Sequence, residues 1–216
     1  MILVIDTATS QALVALGGAD GQLAAARDWE VGYRHGETLL VTLQALLADE
    51  GVGLEDLTGI VVGTGPGAFT GLRVGLATAK ALAHARRLPI VGVSTAEGLL
   101  AAGGQTSVLL LPAGPNDRIA VRTEQAPRLL PGGVEPDVAG GEALLAVDLA
   151  GRAPDEAVEA GREARAGLAA ALLRIGAGRL RTGDVDDLAR LVPEYVTLPR
   201  GVAATTGEVE WSRDPR

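Results

Sequence analysis

Three strand-like segments in a row, before any helical one, constrain the fold of this chain more than any other feature of its sequence. Ile2-Leu3-Val4-Ile5 is a short, wholly apolar run rich in β-branched residues, the pattern of a buried strand. The polar stretch Asp6 to Gln11 follows, and Ala12 to Leu16 reads as a second strand. Gly17-Gly18-Ala19-Asp20-Gly21 is a hairpin turn by composition, leading to a third strand near Gln22 to Trp29. Strands joined by tight turns make an antiparallel meander.

Helical spacing begins only after that meander. From Glu37 to Glu50, Leu39, Leu40, Leu43, Leu46 and Leu47 recur along one face, and Gly51 stops the helix. Ile60-Val61-Val62 is another buried strand, followed by a glycine-rich loop from Gly63 to Gly71 and a helix running to about Ala85. Pro89 to Val93 is a strand. Ser94 and Glu97 have the spacing of a capping box opening a helix that stops at Gly103-Gly104. The order β-β-β-α-β-α-β-α requires a mixed sheet, with an antiparallel hairpin edge and parallel strands reached by helical crossovers.

The second half is less periodic. Ser107 to Leu111 and Asp117 to Arg122 read as strands, and the Pro- and Gly-rich stretch Ala126 to Gly141 as loop. Glu159 to Ile175 reads as one helix and Asp184 to Leu191 as a shorter one. No internal sequence repeat is visible, although two halves can share a fold without one. The expected division is an N-terminal α/β lobe over 1–104, a C-terminal α/β lobe over 105–200 and a mobile tail over 201–216.

Composition excludes several functions. Aromatic residues are 2% of the chain, so the core must be built from Ala, Val, Leu and Ile. There is no cysteine, which removes disulfide and thiol chemistry. The net charge of −8 disfavours direct grip on nucleic acid, which calls for a basic patch. No apolar run approaches the ~20 residues that span a bilayer, and the N-terminus lacks a basic lead and a cleavage site. A cytoplasmic protein without membrane contact is expected.

Two segments carry chemical information. Asp6-Thr7-Ala8-Thr9-Ser10 sits at the end of a buried strand, where a carboxylate and hydroxyls either face a phosphate or simply hydrogen-bond the turn. The loop around Gly65 and Gly67 lies between a strand and a helix start, a place where backbone N–H groups can approach an anion. It matches neither the phosphate-loop nor the dinucleotide pattern. In the helix that follows, Gly71, Gly75, Ala79 and Ala83 fall every four residues and form a smooth ridge. Helix glycines cost up to about 1 kcal/mol each relative to alanine, so the ridge implies close packing, on the chain's own sheet or on another subunit. His35 and His84 lack ligand-like spacing, and no serine-hydrolase elbow exists. No catalytic residue, metal site or cofactor is assigned.

These residues resemble a known family. Ile5-Asp6-Thr7-Ala8-Thr9, the string from Gly63 to Gly75, His35-Gly36-Glu37 with Leu39-Leu40, and Pro89 to Thr95 look like the hallmark segments of the TsaB (YeaZ) family. The resemblance covers roughly residues 1–100. It implies the actin-like ATPase fold (ASKHA, ribonuclease H-like), with two α/β lobes built on mixed sheets. It also implies a non-catalytic subunit that supports TsaD, together with TsaE, in threonylcarbamoyl transfer to the transfer-RNA adenosine beside the anticodon. Transfer RNA would be met only through that complex, and the isolated chain would be a homodimer. The implied partner and dimer surface lies on the two N-lobe helices, at His35, Leu39, Gly71, Arg73, Gly75, Ala79 and Ala83. Asp6, Thr7, Thr9, Gly65 and Gly67 would then be a vestigial phosphate site, since Ala8 stands where ATPases of the fold usually carry glycine. The alternative is a free-standing small-molecule kinase or ATPase of the same fold.

Overall fold

The computed structural model describes residues 1–31, 35–104 and 107–195. The expected tail over 201–216 lies outside the described residues. The front of the chain forms one five-stranded sheet from β1 (Ile2–Asp6), β2 (Gln11–Gly17), β3 (Leu23–Glu30), β4 (Gly59–Gly63) and β5 (Ile90–Val93). Its order is β3-β2-β1-β4-β5, with β1–β2 and β2–β3 antiparallel and β1–β4 and β4–β5 parallel. The mixed sheet expected from the element order is the one that forms.

Alternation along these strands divides the core in two. Leu3, Ile5, Val14, Leu16, Ile60 and Val62 face outward onto α1 (His35–Asp49) and α2 (Phe69–Arg86). Ile2, Val4, Leu13, Ala15, Val61 and Val91 face inward onto α3 (Thr95–Gly103) and the C-terminal helices. Leu and Ala supply nearly all the helical partners, as the scarcity of aromatics requires.

A second, four-stranded sheet follows from β6 (Ser107–Pro112), β7 (Arg118–Val121), β8 (Arg128–Leu130) and β9 (Ala143–Ala146). Its order, β8-β7-β6-β9, repeats the third-second-first-fourth order of the first sheet, with the same parallel pair of first and fourth strands. The fold is thus the actin-like α/β fold, its topology duplicated without a repeated sequence. The copy is reduced: no helix joins β8 to β9.

Three expectations are corrected in this half. β8 lies inside the stretch read as loop, and β9 was not expected. The single helix over Glu159 to Ile175 is two, α4 (Asp155–Ala166) and α5 (Leu168–Thr182), broken at Gly167. The short helix over Asp184 to Leu191 does not form. That segment instead runs back beside β5, where Asp186 N donates to Ile90 O at 2.9 Å and Gly92 N donates to Asp186 Oδ2 at 2.7 Å. Arg179 Nη1 donates to Gly92 O at 2.7 Å. The outward polar groups of this edge strand are therefore met by side chains and one amide, which blunts the edge against pairing with another strand.

The two sheets share one core. α3, α4 and α5 lie between them, and α5 packs on β1, β4 and β5 of the first sheet although it comes from the second half of the chain. No helix among the described residues is long and apolar enough to cross a membrane.

Candidate functional site

Asp6 ends β1 and is fully buried. Its Oδ2 accepts from Thr95 Oγ1 at 2.6 Å and its Oδ1 from Ala8 N at 3.1 Å. Thr95 Oγ1 in turn accepts from Gly65 N at 3.1 Å. The carboxylate thus pins the end of β1 to the glycine loop and to the first turn of α3. Burial pushes its pKa above the usual carboxylate value, opposed by the Thr95 hydrogen bond, the charge of Arg165 and the Ala8 amide.

The other polar groups of the turn also face inward. Thr7 Oγ1 donates to Gly71 O at 2.7 Å, and Thr9 Oγ1 donates to Gln11 O at 2.8 Å while accepting from Arg165 Nε at 3.3 Å. Ala8 O accepts from Ala68 N at 2.7 Å. A Cβ at Gly67 would stand 2.1 Å from Ala8 O, so the glycine loop closes on the β1 turn itself. The structure therefore brings Asp6, Thr7, Thr9, Gly65 and Gly67 together, as the sequence suggested, and turns their donors and acceptors onto one another.

The small ridge of α2 meets the same turn. Gly71, Gly75, Ala79 and Ala83 are all buried. A Cβ at Gly75 would lie 2.1 Å from Thr7 Oγ1. Close packing on the chain's own sheet is what offsets the helix glycines, and a buried face has no surface to give a partner. Leu39 is likewise a core residue, 1% exposed. Arg73 is exposed, its guanidinium 3.8 Å from the Phe69 ring centroid. His35 opens α1, and its side chain lies outside the described residues.

The outer face of these helices is a different surface. Between Thr38 and Ala48, α1 carries no charged residue, and Leu40 and Val41 are 50% and 64% exposed. Ala45 is exposed beside them, and Ala77 and Ala81 are exposed on α2, which contacts α1. Gln44 is the one exposed polar side chain between Thr38 and Ala48, so this face presents mostly aliphatic carbon to water.

Between the sheets lies a cleft of about 600 Å³, bordered by Thr9, Gly67, Phe69, Asp117, Asp148 and Glu194. Its charged lining is wholly acidic. A bare phosphate there would meet carboxylates with no cationic side chain, and the hydroxyls of Thr7 and Thr9 are already bonded. No group of three or more His, Asp or Glu among the described residues could hold a metal ion.

The sequence segments already contained Ser10, Thr64, Thr95 and Glu194 but gave them no role, and Asp148 and Arg165 were missed. Of these two, Arg165 left a signal: it follows Ala157, Gly161 and Ala164 on the buried side of α4, where an arginine needs a partner.

A family model described as TsaD, tRNA N6-adenosine threonylcarbamoyltransferase, matches residues 30–174. The chain belongs to the TsaD family. Within it, the chain resembles the tRNA threonylcarbamoyladenosine biosynthesis protein TsaB of Escherichia coli, 41% identical over 113 residues, which are 50% of this chain and 48% of that protein. A tRNA N6-adenosine threonylcarbamoyltransferase of Novosphingobium aromaticivorans is 47% identical over 64 residues, 30% of this chain and 18% of that enzyme. The chain spans half or less of the length of these curated TsaD-family relatives. In structure it is similar to YeaZ from Pseudomonas aeruginosa, with a TM-score of 0.66 and 20% identity over 90% of this chain and 99% of that one. That likeness shows the fold of this TsaD-family chain.

Proposed function

We propose that this chain is a non-catalytic subunit in the biosynthesis of threonylcarbamoyladenosine on transfer RNA, binding TsaD and working with TsaE. The observation that carries this reading is the uncharged, exposed outer face of α1, lying beside the exposed alanines of α2. A patch of that kind on a folded domain marks an interaction site. The interface is thus proposed at Leu40, Val41, Ala45, Arg73, Ala77 and Ala81, and the same face joins two copies when TsaD is absent. The inward-turned Asp6 supports a subunit without phosphoryl chemistry, and speaks against a free-standing kinase or ATPase. The net charge of −8 supports contact with transfer RNA through the complex only.

The test is a drop-out reconstitution with purified TsaD, TsaE, the enzyme that makes the threonylcarbamoyl adenylate, substrates and transfer RNA, with and without this chain. Modified nucleoside is counted by mass spectrometry over many turnovers. Product that depends on this chain is expected. Equal product without it would sink the reading.

A further inference from the structure

After α5 the chain runs back past β5, and its last described residues grip the head of α2. Glu194 N donates to Thr64 O at 2.8 Å, and the Glu194 carboxylate accepts from Thr64 Oγ1 at 2.5 Å. Ser94 Oγ lies 3.1 Å from Glu194 Oε2 and 2.9 Å from Gly65 O, so its one proton serves either acceptor. Tyr195 stacks on Phe69 with ring centroids 5.1 Å apart, and its hydroxyl accepts from Arg73 Nε at 3.1 Å. One main-chain bond sets a register, a pair of hydroxyls takes an acid and an aromatic shelf takes a ring. Those are the elements by which domains read extended peptides.

The grip is shallow. Leu191 is the buried apolar anchor of the segment, while Val185 and Val192 are 46% and 62% exposed. Leu188 packs partly buried beside Leu191, whose carbonyl accepts from Lys80 Nζ at 3.1 Å. Glu194 and Tyr195 are both exposed and held by hydrogen bonds and one ring contact, where each bond is individually weak. Arg73, at the edge of the cradle, begins a line on α2 that continues at four-residue steps through the exposed Ala77 and Ala81.

We propose that Thr64, Ser94, Phe69 and Arg73 form a docking cradle for an extended segment of a partner protein, one with an acidic residue followed by an aromatic one. The chain's own Glu194-Tyr195 fills the cradle in cis until that segment displaces it. The inference rests on the reading of α2 as an interface only for its location, since the cradle's chemistry is fixed by what already sits in it. A tethered occupant acts at an effective concentration of about 1 mM, so the cradle is closed to weak peptides and opens to one presented by a docked partner.

The test uses the full chain and a fluorescent peptide with the sequence of Leu188 to Tyr195, followed by anisotropy. The double variant Glu194→Ala/Tyr195→Ala should bind it at least ~10-fold more tightly than the unaltered chain. Glu194→Gln, which keeps the shape of the segment, should fall between the two, and Thr64→Val added to the double variant should abolish binding. A peptide with alanine in place of its glutamate should bind ~10-fold more weakly. Thermal melts by circular dichroism confirm that each variant is folded, and Glu194→Gln decides the matter if the double variant is not. No binding to the folded variants, or binding equal to that of the unaltered chain, would overturn the proposal. Because TsaD takes no part, the outcome is separable from the reconstitution.

Discussion

Ser10 and Asp148 tie the turn after β1 to the chain just beyond β9: the Ser10 amide and hydroxyl both donate to the Asp148 carboxylate, at 2.6 and 2.5 Å. Arg165 makes a second tie close by, donating through Nη2 to Gln11 O at 2.7 Å. Both contacts join the first sheet to the second half of the chain. Asp148 has a left-handed backbone, φ +59°, which asparagine tolerates better than alanine does. Asp148→Ala should therefore lower stability by about 1–2 kcal/mol, and Asp148→Asn by less than half as much. Urea unfolding of the two variants checks the ranking, and no loss in either would mean that the clasp contributes nothing.

Gly75 is the position where the sequence and the structure part company most usefully. A side chain added at Gly75 collides with Thr7 of the same chain. Gly75→Ala should cost about 1–3 kcal/mol, the usual range for overpacking a tight contact, because Thr7 must leave Gly71 O to make room. Urea denaturation reads this directly. A stable variant that fails to bind TsaD would restore the ridge to the interface.

The outer face of α1 makes the complementary case. Val41 is exposed, so Val41→Asp should leave the melting temperature of the chain within a few degrees of the original, as surface substitutions usually do. It should also abolish association with TsaD on size-exclusion chromatography. An intact complex would move the interface elsewhere.

Asp6 yields a pH dependence with a definite sign. Its folded pKa lies above the unfolded one, because burial disfavours the charge. Over the window between the two values the native state holds more protons than the unfolded state, so stability falls as pH rises through it and levels off above. Asp6→Asn should remove that fall, shown by subtracting its melting curve from the unaltered one at each pH from 4 to 8. Identical slopes would mean that Asp6 is not the group responsible. Threonylcarbamoyl transfer should survive the substitution if the residue is a structural pin.

The first sheet was legible because glycine punctuates it. Gly17 to Gly21 marks a hairpin between two strands, and Gly51 and the loop from Gly63 mark boundaries between helical and strand-like segments. The break between α4 and α5 was not, since Ala164, Leu168, Ala171 and Leu172 carry the apolar pattern straight across Gly167. β9 is Ala-Leu-Leu-Ala, a composition that favours helix until a neighbouring strand claims it. At Ser94 the capping-box spacing was real but the bond was not: the hydroxyl turns to Gly65 O and Glu194 instead of capping α3. The ridge on α2 was visible as a pattern of small residues, yet which surface it meets depends on Thr7, sixty-eight positions earlier. The clasp of Ser10 and Asp148 spans still more of the chain, and no local pattern encodes such a pair.

The placement of α5 has a consequence for how the molecule is made. The inner face of the first sheet, with Val4, Leu13, Val61 and Val91, is complete in sequence long before residues 168–182 arrive to cover it. On a ribosome releasing roughly 5–20 residues per second, that face has only α3 against it for seconds, with the β5 edge unguarded until Asp186 follows. A fragment ending at Gly104 then keeps α3 but leaves the rest of an apolar sheet face in water, prone to clump. The chain's final fold waits on its own far end.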